Sequence, residues 1–330
     1  MKAEEIISKF AEENRITDIG ICSAVSFEEL RETFESVSAS LKGFAESDIE
    51  KRINPELSLE NARSIIAVAV SYSREFENID DGILRGRISA AAVGRDYHKE
   101  VMEILEKLAG ELKKEYNFNY KAYTDTGPLS DRAVAMRSGL GNAGKNGCVV
   151  TKNGGSAVFI GYIITDLELE VKETKNDVCT GCGVCVKACP TGALGDGYDM
   201  TKCISYISQL KRELTGDEMR LMGNSIYGCD RCQMACPLNV PTERWTGSAE
   251  DYAPSLEKLL SYSNREFKEV YGDTAIFWRG NAVIKRNAIV CAANSRHKDA
   301  EKLVLPFVES ENELLKNTAV KAIELMKTEK

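Results

Sequence analysis

Cysteine spacing constrains this chain more than any other feature of its sequence. Cys179-x-x-Cys182-x-x-Cys185-x-x-x-Cys189-Pro190 has the bacterial ferredoxin spacing, in which three thiolates hold one cubane and the fourth reaches across to another. Cys229-x-x-Cys232-x-x-x-Cys236-Pro237 is the same motif one cysteine short, and Cys203 lies between the two as the missing ligand. The set then suffices for two 4Fe-4S clusters. Cys179, Cys182, Cys185 and Cys236 are assigned to the first, and Cys189, Cys203, Cys229 and Cys232 to the second. Zinc ribbons also use thiolates at two-residue gaps. The Cys-Pro endings and the small residues Gly181, Gly183 and Ala188 favour cubanes, and having only His98 and His297 in the chain argues against His-rich zinc, haem or Rieske chemistry. A segment this short offers little apolar core, so its metal centres are expected to hold it together. Paired clusters form an electron wire, which implies a redox centre at its end.

With 330 residues the chain can build more than one core. No apolar run approaches the ~18 to 20 residues of a membrane helix, and Met1 to Glu13 is acidic and amphipathic without a signal-peptide core. A cytoplasmic monomer away from membranes is expected, a compartment where cysteines serve as ligands rather than disulfides. Residues 3–14 and 97–114 have helical periodicity, whereas Ser64 to Tyr72 (SIIAVAVSY) and Val158 to Thr165 (VFIGYIIT) read as buried central strands. The fold class expected is therefore an N-terminal domain of α+β or α/β type over 1–170, a ferredoxin-like double-cluster domain over 171–245 and an all-α, HEAT-like region over 246–330. The charged connection Glu168 to Asp177 and the stretch Pro237 to Pro241 mark the boundaries. In the last region 281–293 and 312–326 form two amphipathic stretches. Thr124 to Gly147 is rich in glycine, suited to tight turns or to close approach of a ligand.

Several further stretches narrow the reading: RINP at 52–55, ARS at 62–64, GRDYHK at 94–99, YTDTGPLSDRA at 123–133, GLGNAGKN at 139–146, CISY at 203–206 and IYGCDRCQMACP at 226–237. In these the chain resembles the epoxyqueuosine reductase family, cobalamin-dependent iron-sulfur reductases of queuosine biosynthesis. The resemblance implies a cobalamin held base-off by the N-terminal domain. It further implies clusters that reduce this cofactor to cob(I)alamin, deoxygenation of an epoxide to an alkene on tRNA, and an external electron donor such as flavodoxin or ferredoxin. Asp125 matches the family's proton donor, a carboxylic acid held in an apolar pocket so that the departing oxygen does not leave as an alkoxide. Taken alone, an Asp before Thr-Gly-Pro is a turn stabiliser. Arg52 and Ser205 match positions that approach the corrin. Asp96-Tyr97-His98 begins a histidine-ligand motif that fails at Val101, which leaves His98 to a structural hydrogen bond at the start of its helix. Asn142 stands where the family usually has Trp, and Ser130-Asp131 where it has Leu-Glu.

A net charge of -8 is the opposite of a typical nucleic-acid binder. Local charge is more permissive: Lys211, Arg212, Lys285 and Arg286 are the candidate phosphate contacts, with a solvated helix face as the plain alternative. Three function classes stay open, namely a cobalamin enzyme acting on epoxyqueuosine in tRNA, a double-cluster electron carrier, and a cobalamin-dependent reductase of another small substrate.

Overall fold

The computed structural model describes residues 2–14, 16–41, 43–72, 76–171, 178–239 and 247–328. Parts of two expected boundaries, 172–177 and 240–241, lie outside these residues. The contacts of the chain do not group in sequence order. They gather the chain into two units, one formed by Met1–Ser73, His98–Cys185 and Ala235–Arg244, the other by Arg74–Tyr97, Val186–Met234 and Trp245–Lys330.

The first unit is built on a four-stranded sheet of β1 (Asp18–Ser23), β2 (Ser64–Ser71), β3 (Tyr120–Thr124) and β4 (Val158–Thr165), in the order β1-β2-β4-β3. Every pairing is antiparallel, so this part is α+β rather than α/β. All eight residues of β2 are buried. A strand covered on both faces carries the same continuous apolar run in either kind of sheet, and only partner direction separates the two. Helix α1 (Ala3–Glu13) turns Ala3, Ile7, Phe10 and Ala11 inward, and α2 (Tyr97–Lys113) buries Val101, Ile104, Leu105, Leu108 and Leu112. Those positions recur every three to four residues, the period that lines up one face of a helix. Gly161 on β4 lets α2 come close, since a Cβ there would sit 2.5 Å from Val101 Cγ1. Helix α3 (Asp131–Arg137) adds Ala133, Val134 and Ala135 to a core that includes Ile65, Ala67, Tyr162 and Ile164.

In the second unit α4 (Ile204–Gln209), α5 (Asn281–Asn294) and α6 (Glu313–Thr328) share one core. Ile204, Ile207, Met219, Met222 and Ile226 pack in the same cluster as Leu256, Ile284, Ile289, Leu315 and Ala319. The stretch between the cysteines is thus not short of apolar surface, contrary to expectation, because the C-terminal helices supply what its own length lacks. Among the described residues no helix is long and apolar enough to cross a membrane.

Helix α5 is buried on nearly every side, including Arg286, which is 0% exposed. This corrects the reading of Arg286 as a phosphate contact. Its guanidinium donates to the carbonyls of Ser208, Leu210 and Arg212 at 2.9, 2.7 and 2.7 Å, and its Nε donates to Asn287 Oδ1. Asn287 Nδ2 donates in turn to the carbonyls of Ser208 and Ile226, both at 2.7 Å. The last carbonyls of a helix have no intrahelical donor, and a cation there also suits the helix dipole. Arg286 thereby ties down the end of α4. Burial and then the Arg212 charge lower its pKa to about 10, which leaves it charged at neutral pH. Arg286→Met is expected to orphan these carbonyls and cost the second unit about 3 kcal/mol, read by urea denaturation. An unchanged midpoint would show the clamp to be dispensable.

Candidate functional site

The division into units separates the eight cysteines along the lines of the expected ligand sets. Cys179, Cys182, Cys185 and Cys236 fall in the first unit, and Cys189, Cys203, Cys229 and Cys232 in the second. Cys236 is far in sequence from its three companions, so something must hold it there. Asn239 does so: its own N–H donates to the Cys236 carbonyl at 3.2 Å, and its buried side chain accepts the Ser156 N–H at 2.6 Å and the Ser156 hydroxyl at 3.2 Å. Ser156 is held in turn by Asn146 Nδ2 at 2.8 Å. Asn239→Leu is expected to release Cys236, dropping iron below the about eight of two cubanes while the centre of Cys189, Cys203, Cys229 and Cys232 keeps its spectrum. Full iron in this variant would assign the hold on Cys236 to something other than Asn239.

In the second unit Cys203 stands at the N-terminus of α4, whose far end Arg286 clamps. Ser208 on the same helix is both an Arg286 acceptor and, through its hydroxyl, the acceptor of the Gly228 N–H at 3.0 Å, next to Cys229. One small network thus sets Cys203 and Cys229 relative to each other. Burial raises the Cys229 thiol pKa, and the Cys203 charge adds to the rise against the Arg231 guanidinium that lowers it. Cys189 differs. Burial pushes its thiol up, but hydrogen bonds from the Thr191 hydroxyl and from the backbone of Thr191, Ala193 and Leu194 more than offset this and favour the thiolate. The thiolate is the form that ligates metal. Among the described residues no three Cys, His, Asp or Glu side chains converge as ligands of a single ion. A cubane, whose thiolates sit at separate iron corners, does not ask for that. Cys22 and Cys291 are buried thiols with raised pKa values, Cys22 at about 12, which makes them poor ligands.

Asp125 follows β3, at the head of the Thr-Gly-Pro turn. Its φ of 55° is left-handed, a conformation that Asp and Asn tolerate better than other non-glycine residues. Gly127 completes the turn, because a Cβ there would meet Tyr162 Oη at 2.3 Å and Tyr123 Cβ at 2.7 Å. The Asp125 N–H donates to Asp131 Oδ2 at 2.6 Å, and Asp125 Oδ2 lies 3.1 Å from His98 Nε2. His98 is therefore not a plain helix-start residue; it engages the candidate acid. Nothing in sequence links positions 27 residues apart, and only the fold brings them together. The carboxyl of Asp125 is also not in an apolar pocket, its side chain being 61% exposed. The enclosed carboxyl belongs to Asp131, whose Oδ1 is buried without a hydrogen-bond partner. Burial first, and then the Asp125 charge, push Asp131 up to about 7.

The other candidates fare unevenly. Arg52 is buried, its guanidinium 3.9 Å above the Phe34 ring, with its pKa lowered by burial and then by the Arg132 charge. Ser205 lies in the first turn of α4, two residues past Cys203, with its carbonyl accepting from Ser208 Oγ and Gln209 Nε2. Lys211 is exposed. Arg212 is held by both oxygens of Glu218, at 2.6 and 2.8 Å. Lys285 is half-buried with Nζ 5.8 Å from the Phe307 ring centroid, and burial lowers its pKa. The expected basic cluster thus leaves Lys211 alone both exposed and without a carboxylate partner in the described contacts.

Comparison with known proteins spans both units. A family model described as epoxyqueuosine reductase QueG, DUF1730, matches residues 52–126, and one for a 4Fe-4S double cluster binding domain matches residues 178–239. An epoxyqueuosine reductase of Bacillus cereus is 38% identical over 93% of this chain and 85% of its own length, and that of Escherichia coli is 32% identical over 80% and 73%. Among solved structures, an epoxyqueuosine reductase with an epoxyqueuosine-modified tRNA-Tyr stem loop aligns with a TM-score of 0.91 at 35% identity, covering 98% of this chain and 89% of that one. Another, from Bacillus subtilis with its catalytic aspartate loop swung out of the active site, aligns with a TM-score of 0.90 at 32% identity, covering 98% and 91%.

Proposed function

This chain belongs to the epoxyqueuosine reductase family, and from that premise we propose that it reduces epoxyqueuosine in tRNA to queuosine. The observation that carries the reading is a match running through both units, the one with Asp125 and the one with Cys203, rather than through a ferredoxin motif alone. The reaction takes the epoxide, two electrons and two protons to the alkene and water. Two 4Fe-4S clusters on the eight cysteines carry the electrons singly. They receive them from an external one-electron donor such as flavodoxin or ferredoxin.

Cobalamin is proposed as the group that, when bound, supplies a strongly reducing and nucleophilic metal at the end of that wire. A corrin bound here would find the Nε2 of His98 engaged by Asp125, and Val101 stands where the histidine-ligand motif needs glycine. Arg52 and Asp125 are the residues of the first unit assigned to it, and Ser205 of the second unit is assigned by its place two residues past Cys203. Asp125 donates the proton to the departing oxygen, because an alkoxide is a poor leaving group. Its exposed carboxyl can meet a macromolecular substrate and take a fresh proton from solvent, while His98 holds Oδ2 and the left-handed turn sets its direction. Lys211 is the remaining candidate for a tRNA phosphate.

Expression of the chain in a strain deleted for its own epoxyqueuosine reductase is expected to restore queuosine, measured by mass spectrometry of digested tRNA. Epoxyqueuosine persisting in the complemented strain, with both clusters present in the purified protein, would leave the electron-carrier reading in its place.

A further inference from the structure

We propose that Asp131 is a positioning residue for proton donation: its enclosed carboxyl, bonded to the Asp125 backbone, acts electrostatically on the Asp125 carboxyl so that the two together carry one proton at neutral pH, and so keeps Asp125 supplied. The inference rests on the assignment of Asp125 as the acid. Three observations lead to it. Asp131 Oδ2 accepts the Asp125 N–H at 2.6 Å, which ties the carboxyl of one to the backbone of the other. Asp131 Oδ1 is buried and has no hydrogen-bond partner, so an ionised carboxylate there is stabilised at Oδ2 alone. Asp125 occupies a left-handed turn that this contact helps to hold.

The titratable groups facing Asp131 are Asp125 from the end of β3, His98 from α2 and Tyr162 from β4. Arginines on its own helix are engaged elsewhere, Arg132 with the Gly147 carbonyl and Arg137 with Glu29 and the Val25 carbonyl. The counter-charge that acts on Asp131 is the imidazole of His98 when protonated. Two carboxyls placed so lose their first proton readily and their second reluctantly, and the resulting pKa values belong to the pair. The rise of Asp131 to about 7 agrees with this, burial being the larger cause and the Asp125 charge the next. Repulsion between two charges is mutual, so an ionised Asp131 strengthens the hold of Asp125 on its own proton by the same interaction. In turnover the Asp125 O–H bond breaks and an O–H bond forms on the substrate oxygen. The electron pair of the broken bond stays on Asp125, which becomes a carboxylate beside Asp131 and is reprotonated from solvent.

The test compares the parent, Asp131→Asn and Asp131→Glu as cluster- and cobalamin-loaded enzymes, with kcat for a modified tRNA stem loop measured from pH 5 to 9. Asn removes the second charge while keeping an oxygen to accept the Asp125 N–H. Its alkaline limb is expected to move down by roughly 1 to 2 pH units, with KM unchanged, and Glu is expected to return the limb toward the parent's. A uniform fall in kcat with the limb unmoved would overturn the pairing and leave Asp131 a support of the turn. In case Asp131→Asn does not fold, infrared spectra of parent and Asp125→Asn, each labelled with carboxyl-13C aspartate, decide without turnover. An aspartate titrating near pH 7 in the parent and lower in Asp125→Asn supports the pair; no aspartate titrating between pH 5 and 8 overturns it. Failure of the acid assignment itself shows differently, as an active Asp125→Asn.

Discussion

Asp125→Asn is expected to lower turnover by about 10²- to 10⁴-fold, the usual worth of a single general acid, while iron content, cobalamin retention and tRNA affinity stay those of the parent. The amide has the size of the carboxyl and cannot give up a proton to the departing oxygen. The backbone makes this a clean substitution. At a φ of 55° Asn is as tolerant of the left-handed region as Asp, and its N–H still reaches Asp131 Oδ2. Asp125→Ala adds strain at the same position and is the poorer probe. Single-turnover measurements on pre-reduced enzyme separate the chemical step from electron delivery. Turnover near that of the parent would return Asp125 to a turn-stabilising role.

Cys203→Ala is expected to remove the second cluster, with iron falling by about half, and to abolish reduction because the electron path is cut. The helices of the second unit should survive it. Cys203 lies at the start of α4, but Ile204 and Ile207 stay anchored in the shared core and Arg286 still clamps the far end of the helix. Far-ultraviolet circular dichroism close to that of the parent, alongside half the iron, is the expected pair of results. Retention of both clusters would show that another residue is the eighth ligand. Loss of helical signal together with the iron would mean that metal, not apolar packing, holds this unit.

What could be read from the sequence follows from how local each cause is. Val158–Thr165 lies where its apolar run places it, and α2 ends within a residue of the expected boundary, because periodicity is a property of neighbouring residues. The direction in which β2 meets β4 is not such a property, and neither is the division of residues 186–239 between two units. Cysteine spacing divides the eight thiolates into two sets, and the two units divide them in the same way. The positive stretch on α5 misled for a definite reason: the acceptors of Arg286 lie 74 to 78 residues away, and a guanidinium bonded to carbonyls leaves no complementary charge for a sequence pattern to reveal. Asp131 is the first residue of a helix capped by Ser130, and only the fold brings its carboxyl to the Asp125 backbone.

The threading of the chain between its units sets a schedule for its synthesis. The first unit includes residues from Ala235 onward, so Cys236, the last of the ligands proposed for it, reaches the ribosome exit about 50 residues after Cys185. At translation rates of about 5 to 20 residues per second, that interval is roughly 3 to 10 s. On that proposal Cys179, Cys182 and Cys185 stand for that time as an open three-thiolate site on a nascent chain, and all four ligands proposed for the other set are made within it. Newly made protein is thus exposed to oxidants and stray metal ions in proportion to how slowly this stretch is translated. Neither unit can be recovered from an uninterrupted fragment of the gene.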